Sequence, residues 1–369
     1  MTTVGILGGG QLGRLMGLEA KKLGLRTIVL DPTPNGPAAQ ICDEHLQADL
    51  DDQGAALELA RRCDVVTFEW ELIAADLLDR LAQEKPVRPG PAVLRAVQDR
   101  LVQKEFLKGH GIPQAEFIQV DESSGLESAL RRLGGPCILK TRRRGYDGKG
   151  QARLNEKADL ATEAATLSFP CVLEKRVDFV KEISVVLCRA LDGNIVVFPL
   201  AENVHRNGIL HTTLAPANIA SSAEDSAKLL ATTIADALGH VGVMAVEMFL
   251  LGNGDLLVNE IAPRVHNSGH YTLDACATSQ FAQHLRAICG LPLGSTDQAF
   301  PAVMINVLGD LWDTGEPRWD RILRRSDVRL YLYGKAKPAA GRKMGHIIIL
   351  GEVEKALADA ESLLEALRR

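Results

Sequence analysis

Residues 243–264 read VMAVEMFLLGNGDLLVNEIAPR, and this stretch constrains the chain more tightly than any other. Two apolar runs flank Asn253-Gly254, the preferred pair for a two-residue β-hairpin turn, so the strands are expected to pair with residue numbers summing to 507. Glu247 and Glu260 satisfy that sum. They are therefore expected opposite one another on one face, with side-chain roots about 5 Å apart. Like charges so placed cost a few tenths to about 1 kcal/mol unless a cation lies between them. A hard divalent cation shared with a polyphosphate resolves the conflict, because Mg²⁺ binds through one or two carboxylates together with phosphate oxygens and water. The bland alternative, both side chains pointing to solvent, is disfavoured by the apolar character of the flanking strands. Arg264 and His266 follow at a spacing that puts both on one side of an extended chain, beside the same site.

Upstream, residues 140–151 read KTRRRGYDGKGQ after the apolar run 137–139. A short strand would deliver Lys140 as a fixed cation, and Gly145, Gly148 and Gly150 would let main-chain N–H groups approach an anion closely. Three arginines and Lys149 add charge where a polyphosphate needs it. A solvated basic hairpin is the alternative for such a run, and the carboxylate pair weighs against it.

The 369 residues suit two or three domains. A hydrophobic fraction of 46% with 24% charged residues is that of a globular protein. A net charge of −5 excludes a general nucleic-acid binder, so any basic site must be local. Seven cysteines include no CxxC pair and read as reduced core thiols. No signal-length or membrane-spanning apolar run is present, and a cytoplasmic protein with no membrane partner is expected.

At the N-terminus, a buried strand over 3–7 runs into GGGQLG at 8–13, a helical pattern over 11–23, and a second strand ending in Asp31. That is nearly the whole dinucleotide-binding fingerprint, but its physics requires only an anion at a helix N-terminus. Gln11 stands at the mouth of the turn, where its side chain can hydrogen-bond a substrate. Glu69 ends the strand 64–68, where ligands gather in open α/β sheets. PVRPGP at 86–91 reads as a linker closing this domain.

Next comes an amphipathic helix over 99–109 with Leu101, Phe106 and Leu107 inward, and Arg100 and Lys104 sharing another face. Strands 117–120, 137–140 and 171–176 form a small sheet with the basic loop between the last two. Glu174 and Lys175 end an apolar run as a nucleotide-base hinge would. Glu182 and His205 bracket a hairpin turning at Asp192-Gly193-Asn194. In the C-terminal part, strands 302–308, 328–333 and 347–350 surround a second basic cluster at Lys335, Lys337 and GRKMGH (341–346), suited to a 5′-phosphate or else a solvated loop. The helix 352–369 is expected to face inward through Val353, Leu357 and Leu364.

Together, KxxxxGYDGKGQ, VMAVEMF, NEIAPRVHNSGH and GRKMGH, with GGGQLGR at the start, resemble the N5-carboxyaminoimidazole ribonucleotide synthetases, a branch of the ATP-grasp ligases. The likeness runs from Val4 to about Leu350. It implies an α/β fold, α+β in its central part: a Rossmann-like pre-ATP-grasp domain at 1–97, an ATP-grasp domain at 98–290 with a mobile lid at about 107–177, and a small C-terminal substrate-binding domain at 291–369. It implies carboxylation of 5-aminoimidazole ribonucleotide by ATP and bicarbonate through carboxyphosphate, in purine biosynthesis, with Mg²⁺ and a homodimer.

Position by position, the resemblance assigns ATP binding to Arg100, Lys140, Gly145, Tyr146, Asp147, Gly148, Lys149, Gly150, Gln151, Glu174, Lys175, Arg176, Val177, Glu182, His205, Asn259 and Glu260. Glu247 and Glu260 fall on the metal carboxylates. Arg264, His266, Tyr146 and Lys343 fall where bicarbonate and carboxyphosphate react, and Gln11, Leu12, Glu69, Asn267, Ser268, Lys335, Arg342 and Lys343 fall on ribonucleotide binding. Two departures are Ala262, where the superfamily often has a third metal ligand, Asn, and Trp70 in place of a phenylalanine. Two readings compete: another ATP-grasp ligase, such as a formate-dependent glycinamide ribonucleotide transformylase, and a nicotinamide oxidoreductase resting on GGGQLG and Asp31. The second leaves the carboxylate pair and the basic loop without a role.

Overall fold

Three sheets organise the described residues. The computed structural model describes every residue except 144, 146–148, 155–159, 166 and 369. In the first sheet, β1 (Thr3–Leu7) leads through the glycine turn into α1 (Gln11–Lys22). Then come β2 (Arg26–Leu30), β3 (Glu44–Leu46), α2 (Gln53–Arg62), β4 (Val65–Phe68), α3 (Ala75–Glu84) and α4 (Pro91–Gln98). The strands are parallel in the order β3-β2-β1-β4. The segment read as a linker at 86–91 is structured instead. Val87 bridges Val66 in parallel, and Pro91 opens α4 at a first-turn position where its missing N–H has no partner to lose.

The second sheet follows α5 (Arg100–Gly109) and contains β5 (Phe117–Val120), α6 (Leu126–Leu133), β6 (Cys137–Thr141), β7 (Gln151–Leu154), α7 (Leu160–Ala165) and β8 (Cys171–Lys175). Its antiparallel order is β5-β8-β6-β7. The basic loop therefore closes a β6–β7 hairpin, with Lys140 opposite Gln151, and does not lead directly to β8 as the sequence reading had it. On α5 the inward face also differs from expectation: Gln103, Lys104 and Leu107 are buried, while Leu101 and Phe106 are only partly so.

The third sheet is antiparallel and includes β9 (Lys181–Arg189), β10 (Ile195–Val197), β11 (Ala201–Arg206) and β12 (Ile209–Ala215). After α8 (Ser221–Ala237) it continues with β13 (Gly242–Leu250) and β14 (Leu256–Ala262), and after α9 (Thr272–Ala275) and α10 (Gln280–Ile288) with β15 (Ala302–Leu308), β16 (Val328–Leu332) and β17 (Lys343–Leu350). The order is β14-β13-β9-β11-β12-β15-β17-β16, with β10 beside β9. The C-terminal strands thus extend the central sheet through the β12–β15 pair. Helix α8 lays an alanine stripe, Ala223, Ala227 and Ala231, against one face with Met244, Val246 and Met248, while Phe281 and Leu285 of α10 cover Val243 and Ala245 on the other. Strand β13 is consequently apolar along most of its length, and Glu247 interrupts it.

The closing helix α11 (Val353–Arg368) buries Ala356, Ala360, Leu363 and Leu367, with Val353, Leu357 and Leu364 flanking that stripe. The small alanines let the helix axis approach β15, which moves the buried face one position from the one expected. Strand β17 also begins earlier than read, so Lys343 lies on a strand and not in a loop. All seven cysteines are free, with Cys63, Cys137, Cys171 and Cys188 buried. Among the described residues no helix is long and apolar enough to cross a membrane.

Gly345 of β17 faces backbone: a Cβ there would be driven into the carbonyl oxygen of Tyr331 on β16. Gly345→Ala should therefore destabilise the fold by about 1–3 kcal/mol, read as a lower denaturation midpoint. An unchanged midpoint would contradict the close β16–β17 packing.

Candidate active site

The turn at 252–254 contains three residues, because Leu251 N–H donates to Asp255 O and Gly254 takes φ +91°. That geometry shifts the outer register by one, to Phe249 opposite Leu257. A β-bulge between Glu247 and Met248 then restores it, and Glu247 stands opposite Glu260 as the two-residue turn also required. The expected pairing is met through two irregularities that cancel. The extra residue is Asn259, so Asn259 and Glu260 both face the same cavity, where regular alternation would have allowed only one. Ala262, the position of the missing asparagine, also lines it.

The cavity measures about 660 Å³ and lies between the second and third sheets. It gathers Arg100, Lys140, Gly145, Lys149, Gln151, Glu174, Lys175, Arg176, Val177, Glu182, His205, Glu247, Asn259, Glu260, Arg264, His266, Asn267 and Lys343. Gly150 sits just behind its edge, its carbonyl accepting from Thr141 N–H at 2.9 Å. Tyr146, Asp147 and Gly148 lie outside the described residues.

Glu247 is crowded by carboxylates. Burial, with Glu260 and Glu182, pushes its pKa up to about 7, against the opposing effect of His205 and Lys343. His205 Nδ1 is hydrogen-bonded to Glu182. Although burial disfavours the imidazolium, Glu182 and Glu247 outweigh it, and the His205 pKa is raised. Arg100 reaches Glu260 Oε2 and the Gly145 carbonyl, both at 3.3 Å. Burial opposes its charge, but Glu260 and Glu174 more than compensate.

At the opposite end, Glu174 Oε2 accepts from Lys140 Nζ at 3.0 Å. Burial would raise the Glu174 pKa; Lys140, Lys104 and Arg100 hold it below the ordinary value. The hinge is partly committed to the protein itself, since Lys175 N–H donates to Glu116 O and Arg176 N–H to Pro136 O, both at 2.9 Å.

Arg264 Nη2 pairs with Glu71 at 3.0 Å, and its buried Nε has no hydrogen bond among the described residues. His266 Nδ1 lies 2.9 Å from Ser268 Oγ and its Nε2 lies 3.7 Å from Glu247. Gln280 holds the His266 backbone at both N–H and C=O. Burial, together with Arg264, Lys343 and His205, keeps the imidazole pKa well below its ordinary value, so His266 is neutral near pH 7. Ser268 itself is buried and serves as a support for this ring.

Other ribonucleotide-site expectations lie outside this cavity. Lys335 Nζ donates to the Lys343 carbonyl at 2.6 Å, and exposed Arg342 donates to the Lys337 carbonyl at 2.8 Å. Leu12 packs in the apolar core beneath α1. Gln11 is partly exposed at the start of α1. Glu69 is buried, and its carboxylate accepts from Gly10 N–H and, at 2.6 Å, from Gly13 N–H. Asp31 takes Gly9 N–H at 2.7 Å. The helix N-terminus that suggested dinucleotide binding is therefore already satisfied by two carboxylates of the chain itself.

Several lining residues escaped the sequence reading. Phe249 stacks on Phe179 at 4.6 Å between ring centres, and both line the cavity with Glu71, Arg153, Asn207 and Gly208. Phe249 was recoverable, being two residues from Glu247 on the same strand face. Glu71 lies in the turn just past β4, where periodicity carries no signal. Asn207-Gly208, at positive φ in the turn between β11 and β12, gave a hairpin signal that the reading passed over. Among the described residues, no three His, Cys, Asp or Glu side chains are placed to hold a metal unaided. Two facing carboxylates open to a polyphosphate-sized cavity fit Mg²⁺, which keeps most of its ligands from phosphate and water.

Comparison with known proteins matches residues 1–98 to the ribonucleotide synthetase preATP-grasp domain, 105–281 to the ATP-grasp domain, and 302–360 to the phosphoribosylaminoimidazole carboxylase C-terminal domain. The N5-carboxyaminoimidazole ribonucleotide synthase of Brucella melitensis is 46% identical, over 94% of this chain and 95% of its own. An ADP complex of N5-carboxyaminoimidazole ribonucleotide synthetase superposes with TM-score 0.94 at 43% identity, covering 100% of this chain and 98% of that one. The Aspergillus clavatus enzyme, solved with ADP and 5-aminoimidazole ribonucleotide, gives TM-score 0.91 at 33% identity, covering 99% and 98%. With these likenesses spanning nearly the whole chain, the protein belongs to the N5-carboxyaminoimidazole ribonucleotide synthase family of ATP-grasp ligases.

Proposed function

We propose that the protein carboxylates the exocyclic amine of 5-aminoimidazole ribonucleotide, consuming ATP and bicarbonate and releasing N5-carboxyaminoimidazole ribonucleotide, ADP and phosphate. The observation that carries this reading is one cavity with a lysine-rich phosphate end and a carboxylate pair, in a chain matching the family along nearly its whole length. A bicarbonate oxygen attacks the γ-phosphorus and ADP leaves; the amine nitrogen then forms the bond to the carboxyl carbon, with loss of a proton, and phosphate leaves.

Phosphoryl transfer of this kind needs positioning and charge neutralisation more than covalent help. Lys140 and Arg100 neutralise the polyphosphate. Phe249 and Phe179 offer an apolar wall for the base, and Val177, whose two predecessors have committed N–H groups, would meet the purine edge through its own backbone. Glu247 and Glu260 would hold Mg²⁺, which supplies charge neutralisation at the phosphates when bound. Arg264, fixed by Glu71, would present its guanidinium to a bicarbonate oxygen, while neutral His266 borders the same region. Lys343, on β17, is assigned to the ribonucleotide. Closure of the basic loop would exclude water from carboxyphosphate. A cytoplasmic homodimer completes the proposal, its assembly open to test by sedimentation.

Phosphate release from Mg²⁺-ATP and bicarbonate should require 5-aminoimidazole ribonucleotide, and labelled bicarbonate should enter an acid-labile product. ATP turnover indifferent to that substrate would overturn the acceptor assignment. Lys343→Ala should raise the KM for the ribonucleotide far more than that for ATP; equal effects would remove Lys343 from the ribonucleotide site.

The pKa of Glu247 adds a pH signature. Its folded value of about 7 exceeds the ordinary 4.5, so the protonated acid favours the folded state. Its contribution is complete below about pH 4.5 and is lost as pH rises through about 7. Without metal and nucleotide, the stability of wild type relative to Glu247→Gln should fall across that window, by at most about 1.4 kcal/mol per pH unit. Parallel stability curves would contradict the carboxylate crowding.

A further inference from the structure

Lys104 lies one helical turn beyond Arg100 on α5 and is 2% exposed. It is absent from the cavity lining. Its Nζ is 3.4 Å from Glu174 Oε2, the oxygen that already accepts from Lys140, and 5.5 Å from the centre of the Phe117 ring. Among the described residues no acceptor meets it with hydrogen-bond geometry, Glu174 touching it as an ion pair only, although an ammonium carries three donors. Buried polar groups in native interiors are nearly always bonded, so this one calls for a state in which it is.

Nucleotide binding supplies that state. Lys140 and Glu174 line the cavity and Lys104 stands behind them. Once Lys140 Nζ turns to a phosphate oxygen, the buried Glu174 carboxylate loses its hydrogen-bonded partner, and a buried charge left so is strongly disfavoured. We propose that Lys104 is a positioning residue, a reserve counter-ion that closes onto Glu174 when Lys140 is drawn to the nucleotide phosphates. Without it, Glu174 retains Lys140 and competes with the phosphates for the same cation. Burial holds the pKa of Lys104 below its ordinary value, with Glu174 offsetting part of that effect.

The inference rests on the cavity being the ATP site, and titration of the full-length wild-type protein with a non-hydrolysable ATP analogue and Mg²⁺ checks that first. Failure to bind would overturn the cavity assignment and this inference with it. Given wild-type binding, Lys104→Met should weaken the analogue roughly tenfold or more, leave the KM for the ribonucleotide unchanged, and be largely rescued by Lys104→Arg. In a Glu174→Gln background the same substitution should add less than about twofold, because the carboxylate that needs the reserve charge is gone. Unchanged nucleotide affinity in Lys104→Met, equal loss for both substrates, or a full additional loss on top of Glu174→Gln would each overturn the proposal. Should Lys104→Met alone fail to fold, the comparison of Glu174→Gln with the double variant decides the matter.

Discussion

The nucleotide-facing half of the molecule depends on holding Glu247 and Glu260 face to face in an otherwise apolar sheet. Two carboxylates across an antiparallel pair repel one another, and the raised pKa of Glu247 is the measure of that repulsion and of its burial. The surrounding cations do not cancel it. Arg100 is engaged with Glu260 and His205 with Glu182, which leaves Glu247 facing His266, a neutral ring, at 3.7 Å. A site so arranged has an unmet need for positive charge at one place, and Lys140 and Lys149 line the cavity at another. A polyphosphate carrying a divalent cation satisfies both ends at once.

The glycine turn of the first sheet illustrates the opposite case, a binding feature that the chain uses on itself. Glu69 and Asp31 occupy the N–H groups of Gly9, Gly10 and Gly13. A dinucleotide pyrophosphate would have to displace two carboxylates from hydrogen bonds already made. The fingerprint is therefore spent on joining β1, β2, β4 and α1, and the cavity lies between the other two sheets. Anchoring Glu69 also fixes the end of β4, from which Glu71 reaches Arg264.

Where sequence and structure agree, a short-range rule sufficed. The strands at 3–7, 117–120 and 302–308 follow from apolar runs bounded by turn residues. The Glu247–Glu260 pairing was reached through a turn of the wrong length, and a bulge at Asn259 made the count come out. Bulges leave no mark in a single sequence, because the extra residue looks like any other; similar shifts at His205 and Lys343 re-aim those side chains as well. Helix periodicity put Lys104 on the face of Arg100 without showing that the face is buried, since the carboxylate that makes such burial tolerable, Glu174, lies seventy residues on in a different element. Likewise the basic cluster near the C-terminus read as a loop because its strand partner, β15, is distant in the chain.

The most direct test of the carboxylate pair as the cation seat is an anomalous difference map from crystals grown with Mn²⁺ and ADP. A manganese peak is expected within coordination distance of both Glu247 and Glu260, on the side facing Lys140. A fully occupied nucleotide with no such peak, or with manganese held by other side chains, would contradict it.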